Sequence, residues 1–175
     1  REALDDFRAR CKAAGCGDLH LNAVMWGIQL LPNERAVANP VEMIGRLGID
    51  SVSSYCWIHH VAPATFPTYS YADWSAKSTA LWPEFVKKWP VPYYPNVSMG
   101  WDSSPRTTQS DAFENVGYPF TSVLVDNSPE LFKKALYKAR AFLATQPKER
   151  RILSINAWNE WTEGSYLEPD TEHGM

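Results

Sequence analysis

The chain is 175 residues long, 45% hydrophobic and 21% charged, the make-up of a globular domain with enough apolar content for one core. Its formal net charge of −3 comes without any long basic run, which argues against nucleic acid or an anionic membrane surface as a partner. No apolar stretch approaches the roughly 20 residues that span a bilayer, and Cys11, Cys16 and Cys56 form neither a C-x-x-C pair nor an even disulfide framework, which argues against a zinc ribbon and leans toward a reducing, cytoplasmic setting.

The first segment, "REALDDFRARCKAAG", reads as helix: Leu4, Phe7, Cys11 and Ala14 recur at helical spacing, and Gly15 and Gly17 supply the stop. No signal peptide opens the chain; a targeting segment in a lost upstream region, and with it a periplasmic or secreted setting, is the alternative. "LHLNAVMWG" (19–27) is β-like. "NPVEMIGRLGI" (39–49) reads as a short helix with Asn39 as cap and Pro40 in its first position. "DSVSSYCW" (50–57) is β-like again, and the Pro-rich "HHVAPATFPTYSY" follows as loop. "ADWSAKSTALWPEFVKKW" (72–89) is helical, with Pro83 expected to kink or split it. "PYYPNVSMGW" (92–101) is the next strand, and the stretch from Asp102 to Thr121 is a polar loop long enough to suggest function. "SPELFKKALYKARAFLATQ" (128–146) is the clearest helix: Ser128 caps it, Pro129 starts it, and Leu131, Phe132, Ala135, Leu136, Ala139, Phe142 and Leu143 form its apolar stripe. "RILSINAWNE" closes the series as a strand.

Strand, loop, helix and strand repeated about four times is the grammar of a parallel sheet with helices outside it. Two closures fit. A (β/α)8 TIM-type barrel needs about 250 residues, so this chain would hold about half of one; the alternative is an open doubly wound sheet. No G-x-G-x-x-G phosphate turn is present to favour a nucleotide-binding version. Polar and aromatic residues instead gather just after strand ends, in "YCWIHH", in G-W-D-S-S-P-R (100–106) and in "NEWTEG", where barrel enzymes place their sites.

The segment "NAWNEWTEGSYLEPD" (156–170) sets tryptophans among carboxylates. Aromatic faces stack on pyranose rings, and a pair of carboxyl groups can divide acid and base duties at a glycosidic bond. Apolar ring surface also desolvates a carboxylate and raises its pKa toward the range that a general acid needs. Glu160 and Glu163 are three residues apart, so a helical turn after the strand would face both into one cavity that Trp158 and Trp161 could wall. The same pattern also fits a strand end whose tryptophans are core and whose glutamates cap a helix.

"INAWNEWTEGSYLEPD" resembles the signature of WbsX-type, glycoside hydrolase family 99-like proteins, relatives of the endo-α-1,2-mannosidases. "GIDSVSSYCW", the run from Val91 to Arg106 that begins "VPYYPNVSMGW", and "NSPELFKKALYKARAF" follow the order of that family's C-terminal half. The resemblance implies that residues 1–175 are the C-terminal portion of a (β/α)8 catalytic domain, about four βα units, with early strands and any site residues on them supplied elsewhere or replaced by self-association. It implies a glycan as substrate and Glu160 and Glu163 as the catalytic pair. In the mannosidase relatives the first glutamate is the base that takes the proton of the substrate's 2-hydroxyl and the second is the acid and then the base. No cofactor is implied. Many WbsX-like proteins carry the alternative label of glycosyltransferases of O-antigen-type polysaccharide synthesis, and a non-catalytic carbohydrate-binding remnant is a further alternative.

Sugar contacts are expected from Tyr55 and Trp57, which end a strand, from Trp101, Asp102 and Arg106 in the 100–106 segment, and from Trp158, Asn159 and Trp161 beside the glutamates. An Asp102–Arg106 pair bracing its own loop is the alternative for that segment. His59 and His60 are adjacent and point apart in extended chain with no third ligand in view, so no metal site is expected. Glu168 and Asp170 are expected to shape the following loop, and the sequon at Asn96, inside a strand, is expected to be chance.

Overall fold

Local chemistry sets the helix boundaries. In the computed structural model, which describes residues 1–31 and 33–174, helix α2 (Pro40–Leu47) starts where the Asn39 side chain accepts the Glu42 N–H at 3.3 Å. It ends at Gly48, whose φ of 69° is left-handed and open to glycine without strain. Helix α5 (Pro129–Ala144) is capped in the same way by Ser128, which accepts from the Leu131 N–H at 3.3 Å, and it buries Phe132, Ala135 and Ala139. The 72–89 segment splits as Pro83 demands, into α3 (Tyr71–Ala80) and α4 (Trp82–Lys88). Helix α1 (Glu2–Ala13) forms, yet none of its residues is buried; Arg8 ties it down instead, donating to the Gly48 carbonyl and the Asp50 carboxylate, each at 2.6 Å.

The strands read from the sequence pair in parallel and in chain order. β1 (Asn22–Met25) pairs with β2 (Ser51–Ser54), which pairs with β4 (Tyr93–Tyr94), the strand that follows β3 (Thr68–Ser70) and the two helices. Pro95, which has no N–H to give a ladder, separates β4 from β5 (Asn96–Ser98). β5 then pairs in parallel with β7 (Ser154–Asn156). The result is an α/β fold of parallel strands with helices between them, and among the described residues the pairings do not close into a barrel.

Two further pairings were not visible in the sequence pattern. β3 lies in the segment expected to be loop, and it pairs in parallel with β6 (Val123–Val125). Just after β7, β8 (Asn159–Glu160) and β9 (Ser165–Tyr166) form an antiparallel hairpin, Asn159 opposite Tyr166 and Glu160 opposite Ser165.

In-register neighbours in a parallel sheet share a face. One face carries polar side chains that bond across strands: Asn22 reaches Ser51 and Ser53 at 2.8 Å, and Asn96 reaches Ser98 at 2.8 Å and Ser154 at 3.2 Å. That places Asn96 at 1% exposure, unsuited to glycosylation. Val52, Tyr93 and Val97 join the buried core with Ile44 of α2, Trp74 of α3 and Ala135 and Ala139 of α5. Among the described residues no helix is long and apolar enough to cross a membrane.

Candidate active site

The β8–β9 hairpin is bolted to the loop after β5, and that joint builds the site. Residues 161–163 make one 3-10 turn between the two strands, and Gly164 follows at φ 59°. A Cβ there would meet the Asp102 Cβ at 2.7 Å, so only glycine fits both the angle and the space. The Glu163 carbonyl accepts the Asp102 N–H at 2.7 Å, and the Ser165 hydroxyl donates to the Gly100 carbonyl. Asp102 in turn accepts the Ser104 N–H at 2.9 Å, which shapes the turn Ser104–Arg106 and aims Arg106 back at the hairpin.

Both glutamates meet that arginine. Arg106 Nη2 lies 3.3 Å from Glu160 Oε1 and 3.6 Å from Glu163 Oε1. The Thr162 hydroxyl donates to Glu160 Oε1 at 2.6 Å, and the Tyr118 hydroxyl donates to Glu163 Oε1 at 3.3 Å. The two carboxylates differ in setting: the Glu163 side chain is 13% exposed, the Glu160 side chain 31%. Burial raises the pKa of Glu163, Arg106 pulls it down, the charge of Glu160 raises it again and the Tyr118 hydrogen bond lowers it, with a net rise above the ordinary carboxylate value. Burial and the charge of Glu163 likewise raise the Tyr55 and Tyr118 phenols, which keeps both protonated.

Glu163, Arg106, Tyr55 and Tyr118 face a cavity of about 270 Å³ whose wall is completed by Trp26, Leu30, Leu31, Glu34, His59 and Trp101; Glu160 reaches it only through Arg106. Trp26 follows β1, Tyr55 follows β2, Trp101 and Arg106 follow β5, and Glu163 follows β7, so the cavity collects residues from just beyond the C-terminal ends of the parallel strands. In parallel α/β folds that is the end at which ligands bind. A second cavity, about 330 Å³, lies between the start of α5 and residues 164–173 and holds neither Glu160 nor Glu163.

The remaining expected contacts divide. Tyr55 is on the wall and 39% exposed. Trp101 is only 2% exposed, with its indole N–H donated to Thr121 at 2.9 Å, and it meets the cavity through part of its ring. Trp57 lies in the core at 2% exposure, its indole N–H donated to the Asn96 carbonyl at 2.8 Å, because the strand ends before it in a 3-10 turn and the alternation that would pair it with Tyr55 stops. Asp102 braces its own loop. Asn159 and Trp158 are exposed on the hairpin, and Trp161 stacks on Tyr166 at 3.7 Å with its N–H donated to Glu168. Neither Trp158 nor Trp161 lines the cavity. Asp170 accepts from the Tyr166 hydroxyl at 2.8 Å and the Glu172 N–H at 2.9 Å, which shapes the loop. His59 joins the wall and the half-buried His60 packs against Phe85; among the described residues no group of three or more His, Cys, Asp or Glu gathers to hold a metal.

Five residues of the cavity wall, Trp26, Leu30, Leu31, Glu34 and Tyr118, are missing from the sequence reading. Tyr118 sits deep in the polar loop, 45 residues before its glutamate, with no spacing that ties them. Trp26 did carry a signal: it follows a strand end in "VMWG", as Tyr55 and Trp101 follow theirs.

A family model described as "Glycosyltransferase WbsX" matches residues 1–175. The chain belongs to the WbsX family. Over 82 residues it is 35% identical to "Uncharacterized protein WxcX" in each of two strains of Xanthomonas campestris pv. campestris, a stretch that makes up 46% of this chain and 10% of the relative. The WbsX family name is that of a glycosyltransferase and implies a carbohydrate-related role, in keeping with the motif at residues 155–170. Within this WbsX chain the motif's two glutamates are the carboxylates that share Arg106.

Proposed function

We propose that this WbsX chain carries the acid–base pair of a glycoside hydrolase for α-linked, mannose-like glycans, on the C-terminal half of a (β/α)8 barrel. One observation carries the reading: Glu160 and Glu163 converge on Arg106 at the C-terminal end of parallel strands, and the more buried of the two has its pKa raised beside an aromatic cavity. Two carboxyl groups in unlike settings are the arrangement that divides acid from base. Glu163, buried, holds a proton for the leaving oxygen. Glu160, more exposed and bonded by Thr162, takes the proton of the 2-hydroxyl, whose oxygen attacks the anomeric carbon as the glycosidic bond breaks. Glu163 then draws the proton from water as that water opens the resulting ring at the anomeric carbon, and Glu160 returns its proton to the 2-oxygen, giving overall retention in a variation on the usual two-carboxylate scheme. Arg106 limits the repulsion between the two glutamates without removing their difference.

The family's name favours a second reading, transfer of the sugar to another glycan rather than to water, with the same pair. The half-barrel assignment is supported by the chain-ordered parallel pairings β1-β2-β4 and β5-β7. The test is turnover by Glu160→Gln and Glu163→Gln on a natural α-linked disaccharide and on one with an activated aryl aglycone. Acid–base assistance is worth about 10²–10⁴-fold, so each change is expected to lower kcat on the natural substrate by about that factor, and the activated aglycone to rescue Glu163→Gln alone. Near-parental turnover in both removes the catalytic reading in favour of a binding remnant, and a requirement for a glycan acceptor decides for transfer.

A further inference from the structure

The cavity's least explained wall is aromatic. Trp26, the residue after β1, lays its indole on the imidazole of His59, centroids 4.6 Å apart and planes 22° from parallel, and Tyr55 meets it edge-on at 6.3 Å. The stack is held from below: Gly27 and Ile28 donate their N–H groups to the His59 carbonyl at 2.9 and 2.8 Å, and His59 Nδ1 lies 3.2 Å from the Ile28 carbonyl oxygen. His59 is 6% exposed, and burial pushes its pKa below the ordinary value, so the imidazole is a neutral shelf at neutral pH. Trp26 nonetheless stays 44% exposed. A scattered surface tryptophan needs no explanation; this one is fixed by two neighbours, opens on the same cavity as Glu163 and Arg106, and has one ring face already covered by His59.

A rigid indole offers a flat apolar face at small conformational cost, and the apolar face of a pyranose is its natural partner. The cavity, about 270 Å³, is near the lower limit of small-molecule sites and suits one sugar ring rather than an extended chain. Its charge narrows the choice. With Glu163 protonated as the acid of the proposed pair, Glu34 on the wall and the adjoining Glu160 stand against Arg106 alone, whose guanidinium is already engaged by both glutamates. A carboxylate or phosphate on the sugar would meet net negative charge, with no free cation among the described residues of the cavity wall to receive it.

We propose that Trp26, seated on His59 and flanked by Tyr55, is the stacking platform for one neutral pyranose beside the carboxylate pair, and that the site rejects the uronate or phosphorylated form of that sugar. The proposal rests on the reading of the cleft as a glycan site and names its sugar class.

Binding, not turnover, tests it. In a Glu163→Gln background, α-1,2-mannobiose and its uronate counterpart are titrated by calorimetry and by quenching of tryptophan fluorescence into the parent and into Trp26→Ala, Trp26→Leu and Trp26→Phe, with circular dichroism as the check on folding. Mannobiose affinity is expected to fall about ten-fold or more in Trp26→Ala and Trp26→Leu and to recover in part in Trp26→Phe, because the interaction needs a ring. The uronate is expected to bind the parent at least about ten-fold more weakly than mannobiose. Equal mannobiose affinity in the parent, Ala and Leu variants overturns the platform and leaves the glycan site standing. A uronate bound as tightly as mannobiose overturns the neutral-sugar assignment. No binding of either sugar to the parent overturns the platform and the glycan site together. If Trp26→Ala does not fold, the Leu and Phe variants decide, since both keep an apolar side chain and only one keeps a ring.

Discussion

In the proposed acid role, Glu163 holds a proton while sitting beside a cation that favours losing it. Burial resolves the conflict toward the protonated form, and Tyr118 tempers the result by donating to the same oxygen that faces Arg106. Removing that donor has a predictable sign. The Tyr118 hydrogen bond lowers the Glu163 pKa, so in Tyr118→Phe that pKa rises further above the ordinary value. An acid is lost as pH climbs through its pKa, so the alkaline limb of kcat/KM is expected to move to higher pH, with kcat down about ten-fold from the lost positioning of the carboxyl group. A pH–rate profile of the variant checks this; a purely structural Tyr118 would change the height of the profile and leave its limbs in place. The Glu160/Glu163 pair is legible in the sequence because the three-residue spacing and the neighbouring tryptophans state its chemistry locally. Tyr118 is not, because its partner is fixed only when the loop after β5 folds back on the hairpin. Arg106 stands out in the sequence as a candidate, but its partners do not: read there as paired with Asp102 or offered to a sugar, it is bound to both glutamates in the fold.

The hairpin that carries Glu160 and Glu163 depends on its glycine more than on its strands, which are two residues each. Gly164→Ala puts a Cβ at a left-handed φ and against Asp102, and strain of that kind costs about 1–3 kcal/mol. Relief must come from the hairpin or from the 100–104 loop, and either moves Glu163 relative to Arg106. Denaturant unfolding of Gly164→Ala is therefore expected to show a loss in that range together with a fall in kcat. Asn39→Ala, which removes a cap worth about 1 kcal/mol at the start of α2, is expected to lower stability without touching kcat, because α2 contributes no group to the cavity. Caps of this sort, and the break at Pro83, are legible because each is decided by one or two residues and their own backbone. β3 and β6 are not: at three residues each they are too short for any alternation to show, and each is a strand only because the other lies alongside.

At the scale of the molecule the parallel order of the strands is legible and the closure is not, since alternation reports which segments are strands and helices but not what lies beyond the first and last of them. The β1-β2-β4 and β5-β7 pairings each leave an apolar side chain on an outer strand: Val24 on β1 is 51% exposed and Ile155 on β7 is 45% exposed. A strand edge with its backbone groups unpaired is a template for another strand. Further strands of a barrel would cover both edges, and without them a second copy of the same sheet offers the same apolar and hydrogen-bonding complement. A protein limited to these 175 residues is thus expected to sediment as a dimer or larger species, and Val24→Lys with Ile155→Lys to shift it toward monomer with unchanged circular dichroism. The charge acts at the edge alone, because a lysine there is solvated in the monomer and buried in the associated form. A stable, folded monomer of the unmodified 175-residue chain at micromolar concentration would remove the half-barrel reading, for a half-barrel has no means of satisfying both edges by itself.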